Sequence, residues 1–184
     1  NSITLLRSNI DAENAKTRFD IFVEDVNEAK TLWNQCKQVA TPVSGSGSRY
    51  LDIVSGNPEI TAASSETWIP QMVNYIQING VDFKKGCYPG QEVVARLNYL
   101  GKTKRRMYHL LIETDQVPAC NDSIVNEEGT EVGKIINAVV NPDDMVECLA
   151  VLKIADSEDL MFLSEAGGPE VTMMELPYAV NDKA

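Results

Sequence analysis

The sequence predicts an α+β chain that ends in a small antiparallel β-barrel, and three observations carry that reading. Residues 18–24 (Arg-Phe-Asp-Ile-Phe-Val-Glu) alternate apolar and polar with the period of a strand. Residues 25–38 then switch to a helical spacing through Val26, Ala29, Leu32, Trp33 and Cys36. After Arg106 the texture changes again, to short β-rich runs at Met107–Ile112, Glu131–Val140, Met145–Ile154 and Glu170–Leu176, separated by Asn, Asp, Gly and Pro signals.

The first two segments form a strand-then-helix unit. The run Thr41-Pro42-Val43-Ser44-Gly45-Ser46-Gly47-Ser48 has the composition of a flexible loop, and Tyr50–Val54 has the apolar content of a further strand. Together they predict a βαβ-type crossover. Residues 55–67 are polar and turn-rich, and Trp68 reads as the aromatic anchor that ends this loop. A boundary near 101–106 divides the chain into an α+β portion, 1–103, and an all-β portion, 104–184. The spaced strands of the second portion predict the barrel.

Composition narrows the function classes. The 184 residues carry 43% hydrophobic residues and a net charge of −11, enough to bury a core and too acidic for general binding to duplex nucleic acid or an anionic membrane. No run approaches the roughly 18–20 apolar residues of a membrane span and no signal peptide is evident, so the expected compartment is the cytoplasm. The four cysteines (Cys36, Cys87, Cys120, Cys148) are far apart with no Cys-x-x-Cys, and His109 is the sole histidine. Neither an intrinsic zinc or iron–sulfur site nor a disulfide framework is expected. His109 itself reads as a structural or surface residue. The start at Asn1-Ser2, without methionine, fits processing, proteolysis or a piece of a longer chain.

The chemistry concentrates in residues 84–106. Seven bases (Lys84, Lys85, Arg96, Lys102, Lys104, Arg105, Arg106) stand there against one acid, Glu92, a local balance of +6 that leaves −17 for the remainder. Such asymmetry points to an anionic ligand at this segment. Tyr88-Pro89-Gly90-Gln91 suits a type II turn, with proline presetting the second position and glycine accepting the positive φ of the third. Gln91 onward reads as a helix with Glu92 in its first turn and Gly101 just past its end. Cys87 would then lie near a helix N-terminus beside Lys84 and Lys85, a setting that lowers a thiol pKa from its usual value of roughly 8.5. The alternative reading of Cys87 is a small buried apolar residue. Glu92 and Arg96, four apart, either pair on the helix surface or serve a ligand, with Arg96 gripping a carboxylate.

The segment Lys85-Gly86-Cys87-Tyr88-x-Gly90-Gln91-Glu92-x-x-Ala95-Arg96, with Gly101 after it, closely resembles the signature of the YgfZ-type folate-binding proteins, relatives of the glycine-cleavage T-protein aminomethyltransferase. Weaker agreements follow in the expected order: Gly56-x-Pro58, then Trp68-Ile69-Pro70-Gln71 with Asn74, and finally Leu176-Pro177-Tyr178 near the chain end. The resemblance spans residues 18–178 and is to the C-terminal part of the usual chain. It implies a T-protein-like folate-binding portion in 1–103 and an aminomethyltransferase-type β-barrel in 104–184. Tetrahydrofolate is then the expected cofactor, with Cys87 and Lys85 as the chemically active pair and Tyr88, Gln91, Glu92, Arg96, Trp68 and Gln71 contacting folate.

The function implied is support of iron–sulfur client enzymes, including ones that thiomethylate tRNA, by a monomer that uses the motif thiol. Two departures bear on this. The acid expected just before the Gly-x-Pro turn is displaced two positions, to Asp52, and Cys87-Tyr88 replaces the acid–aromatic pair usual in the T-protein. The second departure argues against orthodox aminomethyl transfer. A folate-dependent one-carbon transferase and a non-enzymatic RNA- or protein-interaction module are the alternatives, the last using 84–106 for a weak tRNA contact.

Overall fold

The computed structural model describes residues 3–8 and 18–180. The chain ends, including Asn1-Ser2, lie outside the described residues. The N-terminal strands β1 (Ile3–Ser8) and β2 (Arg18–Val23) pair antiparallel from Ile3↔Val23 to Ser8↔Arg18. Helix α1 (Val26–Cys36) follows, capped by the Asp25 carboxylate, which accepts from the amides of Asn27 and Glu28 at 2.9 Å. Strand β2 and helix α1 therefore form where the two hydrophobic periods place them. Together with β1 they remain largely uncovered: Leu5, Leu6, Phe19, Phe22 and Trp33 are exposed.

The expected crossover does not form. Every strand pairing described is antiparallel. Residues Gly45–Val54 make helix α2 instead of a loop and a strand. Two glycines inside a helix cost about 1 kcal/mol each relative to alanine. Burial offsets that cost, because Ile53 is fully buried and Tyr50 packs beside it against the sheet. Arg18 of β2 donates to the Asp52 carboxylate, which also accepts from Asn57 Nδ2 at 3.3 Å. The displaced acid thus ties α2 to β2 and to the following turn.

Helix α3 (Gln91–Leu100) precedes the main sheet, built from β3 (Arg105–Ile112), β4 (Ser123–Asn126), β5 (Glu131–Val140), β6 (Val146–Lys153), β7 (Met161–Leu163) and β8 (Val171–Met174). Its six strands run in the order β7-β4-β5-β6-β3-β8. The sheet curls toward closure, and a bridge between Phe162 and Glu170 joins its two edges. Alternation along β3 and β6 sorts the side chains. Leu110, Ile112, Val146, Cys148, Ala150 and Leu152 fill the interior, while Met107, Leu149 and Val151 face outward. A bulge at Ile135–Asn137 in β5 turns Ile136 to that outer face, where Ile53, Val73, Trp68 and Leu176 cover it.

Two polar clamps fasten the segment after α2. Asn137 accepts from the Glu59 amide at 2.8 Å and donates to the Glu59 carbonyl at 2.9 Å, imitating a strand pairing with its side chain. The Tyr178 hydroxyl donates to the Gly56 carbonyl at 2.7 Å. Gly56 has φ +64°, and a Cβ there would lie 2.6 Å from that hydroxyl, so the glycine of Gly56-x-Pro58 is demanded twice over. Asn74, itself at φ 57°, donates to the Met107 carbonyl at 3.0 Å.

Candidate functional site

The turn and helix that present Cys87 form as their residues predict. Gly90 takes φ 85°, ψ −4°, the third-position geometry of a type II turn, and the Gln91 amide donates to the Tyr88 carbonyl at 3.3 Å. Gln91 Oε1 accepts from the Tyr88 amide at 3.2 Å, cinching the turn from its other side. Upstream, Asp82 accepts from the Lys84 amide at 2.8 Å and shapes the approach to the thiol. At the far end Gly101 caps α3 in extended rather than left-handed geometry, its amide donating to the Leu97 carbonyl at 3.1 Å.

Helix α3 divides into three faces. Val94 is buried, and its carbonyl accepts from Gln71 Nε2 at 2.6 Å. Gln91, Glu92 and Ala95 turn toward the motif loop and, with Asp82, Phe83, Lys85, Cys87 and Tyr88, line a cleft of about 450 Å³. Val93, Arg96, Leu97 and Leu100 line a separate groove with Ile69 and Gly101.

The motif residues therefore part company. Lys85, Cys87, Tyr88, Gln91 and Glu92 come together in one cleft. Arg96 lies on the other groove and makes no ion pair with Glu92. Trp68 packs against the outer face of the sheet, and Gln71 is buried behind α3, so neither lines the cleft. Of the Trp68-Ile69-Pro70-Gln71 segment it is Pro70 that approaches: it borders an adjoining depression that shares Asp82, Lys85 and Tyr88 with the cleft. Phe83 and Asp82 escaped the sequence reading. Their signal was an acid two residues before a lysine, the pattern of an Asx turn.

Cys87 is exposed, which separates it from the buried-apolar alternative. Cys148 is the contrasting thiol: buried inside the curled sheet, it is pushed well above the ordinary thiol range by desolvation and then by the charge of Glu147. His109 is buried, as a structural role requires. Its Nε2 lies 2.8 Å from Glu147 Oε2, and Asn141 Nδ2 donates to Glu147 Oε1 at 3.0 Å. This Glu–His–Asn network packs beneath α2, where burial, followed by the charges of Glu147 and Asp143, raises the Tyr50 hydroxyl. Among the described residues no cluster of His, Cys, Asp and Glu could hold a metal ion. No helix there is long and apolar enough to cross a membrane.

The donors in the cleft fit a pterin-type ligand. Gln91 offers an amide N–H₂ while its oxygen holds the turn, Glu92 offers an acceptor pair, Lys85 offers a cation, and Phe83 and Tyr88 offer rings. The volume falls in the roughly 300–1,000 Å³ range of small-molecule sites.

The fold is shared with a solved aminomethyltransferase. The crystal structure of the glycine cleavage system aminomethyltransferase T from Bartonella henselae superposes with a TM-score of 0.65 at 15% identity, covering 96% of this chain and 49% of that one. No family model matches the sequence. Curated relatives do: the tRNA-modifying protein YgfZ of Pectobacterium carotovorum is 35% identical over 79% of this chain and 46% of its own length. That of Yersinia pestis is 34% identical over 96% of this chain and 53% of its own. The chain belongs to the YgfZ family, and it spans about half the length of the curated relatives it matches.

Proposed function

We propose that this chain is the thiol-bearing, tetrahydrofolate-binding part of a YgfZ-type accessory protein that supports iron–sulfur enzymes, among them enzymes that modify tRNA. One observation carries the reading: an exposed cysteine shares a single cleft with Lys85, Tyr88, Gln91 and Glu92 at the start of a helix. Glu92 accepts from the amino-pyrimidinone edge of the pterin, Gln91 donates to its carbonyl, and Tyr88 and Phe83 cover its faces. Lys85 balances the glutamate carboxylates of folate. When bound, folate supplies a one-carbon carrier; the residues of this chain bind it, orient it and set Cys87 beside it.

Cys87 is the working thiol, and Lys85 is the cation that lines the cleft with it. The cleft replaces the acid of the transferase turn with a thiol, so support of client enzymes fits better than aminomethyl transfer. The test is complementation in cells lacking their own YgfZ. Cys87→Ser is expected to abolish recovery of iron–sulfur enzyme activity while keeping the fold, and full recovery by the serine variant would remove the thiol from the mechanism.

A further inference from the structure

The Cys87 cleft accounts for a folate with one glutamate, because Lys85 lies inside it to meet those carboxylates. It does not account for the cations past the far end of α3. Lys102 and Lys104 are exposed and Arg105 is half-buried. Among the described residues none of the three makes an ion pair, although the chain has 27 acids to 16 bases and pairs Arg18, Arg49, Lys134 and Lys153. Arg105 also stands opposite Lys153 in the β3–β6 register, and like charges directly opposite destabilise a sheet. Asp156 relieves Lys153 at 3.8 Å, whereas no described acid pairs with Arg105. A positive cluster left open in so acidic a chain attracts an external anion.

A path leads to this cluster from the cleft. Helical spacing places Glu92, Ala95 and Tyr99 on one stripe of α3, and Lys102 follows just past Gly101. Glu92 and Ala95 line the cleft, and Tyr99 packs against Phe83, another cleft residue, with ring centroids 5.8 Å apart. Tyr99 is 70% exposed, so its open side continues the cleft wall toward the C-terminal end of the helix.

Connectivity and charge select the occupant. The ten residues of α3 span about 15 Å, so a folate held at Lys85 by its single glutamate has no charge left for the cluster at the other end. The γ-carboxyl of that glutamate is extensible, and each further γ-linked glutamate adds one carboxylate. A γ-linked unit has two more backbone bonds than an α-linked residue, whose extended reach is about 3.5 Å, so about three units cover the helix.

We infer that the ligand class of the Cys87 cleft is folate with a poly-γ-glutamate tail, and that Lys102, Lys104 and Arg105 form the tail site. This rests on the folate reading of the cleft and adds a preference for chain length. The stripe through Ala95 and Tyr99 carries the tail, and the three cations meet its carboxylates.

The experiment measures protection of Cys87 from iodoacetamide in this chain, at low salt, by tetrahydrofolate monoglutamate and by tetrahydropteroylpentaglutamate. The pentaglutamate is expected to half-protect at a concentration about fivefold lower or more, at roughly 1.4- to 5-fold per exposed charge pair. The difference should vanish near 1 M salt, where screening shortens to about 3 Å. Replacing Lys102, Lys104 and Arg105 together with Gln should bring the pentaglutamate to the monoglutamate's value and leave the monoglutamate unchanged. The double variant Lys102→Gln, Lys104→Gln leaves strand β3 untouched and should remove about half of the preference or more, so the outcome does not hinge on the folding of the triple variant. Equal protection by both forms in the parent would overturn the inference and leave the folate reading in place. So would variants that keep the full preference, or that weaken the monoglutamate as much as the pentaglutamate. Absence of protection by either form would remove the folate reading itself, and the tail site with it.

Discussion

Replacing Gly90 with alanine isolates the backbone geometry that sets Cys87 against α3. Gly90 sits at φ +85°, and an added Cβ would meet no atom within 4 Å, so the penalty is conformational rather than steric. An L-residue in the left-handed region costs roughly 1–2 kcal/mol. Gly86, directly before Cys87, provides the control: it has no positive φ, and a Cβ there also meets open space. Gly86→Ala should therefore be neutral or stabilising by up to about 1 kcal/mol, through reduced freedom of the unfolded chain. For a chain of this size each kcal/mol moves the thermal midpoint by about 2–4 °C. Gly90→Ala is thus expected to unfold about 2–8 °C below the parent, and Gly86→Ala at or slightly above it. Gly90→Asn should fall between, because asparagine tolerates the left-handed region. Calorimetry reads these shifts, and hydrogen exchange over Gln91–Asn98 reads any fraying confined to α3. Equal midpoints and equal exchange for Gly86→Ala and Gly90→Ala would refute the reasoning that this turn positions the helix.

Three further outcomes follow from the same geometry. Iodoacetamide should alkylate Cys87 readily in the native protein and leave Cys148 unmodified until denaturant is added, as mass spectrometry of the labelled peptides would report. Asn137→Ala should destabilise the chain by about 1–3 kcal/mol in urea unfolding, since it strips both partners from the Glu59 backbone; a loss below about 0.5 kcal/mol would count against the clamp. Tyr178 is raised to about 12 by burial, opposed by its bond with Asn74, against an ordinary value of 10.0. A raised folded-state value means its contribution is complete below pH 10.0 and is lost as pH climbs through about 12, so Tyr178→Phe should flatten the alkaline stability profile in that window.

Particular residues explain what the sequence made legible. Pro89-Gly90 specifies its turn locally, and the runs of β5 and β6 are legible from their apolar content because each strand is buried on both faces, one inside the curled sheet and one toward α2. Helix α2 was illegible for the opposite reason. Its serines and glycines lack helix preference, Ile53-Val54 has the look of a strand, and only packing of Ile53 on the sheet decides the outcome. Strands β4 and β7, of four and three residues, are too short to show a period. The Glu147–His109 pair joins residues 38 apart on different strands, which no local pattern announces. Within the site, the motif residues Lys85, Cys87, Tyr88, Gln91 and Glu92 share one cleft because the local turn brings them together. The facing of Arg96 and the burial of Gln71 depend on how α3 is rolled against Pro70 and Gln71, a tertiary fact.

The central claim is that the cleft holding Cys87 is the folate site, and a protection experiment tests it most directly. The rate of Cys87 alkylation is followed as tetrahydrofolate is titrated into the native chain, with the half-buried Cys36 as internal reference. The account predicts saturable slowing at Cys87 alone, weakened by salt and lost in Glu92→Gln. An alkylation rate at Cys87 that stays constant up to millimolar tetrahydrofolate would contradict it.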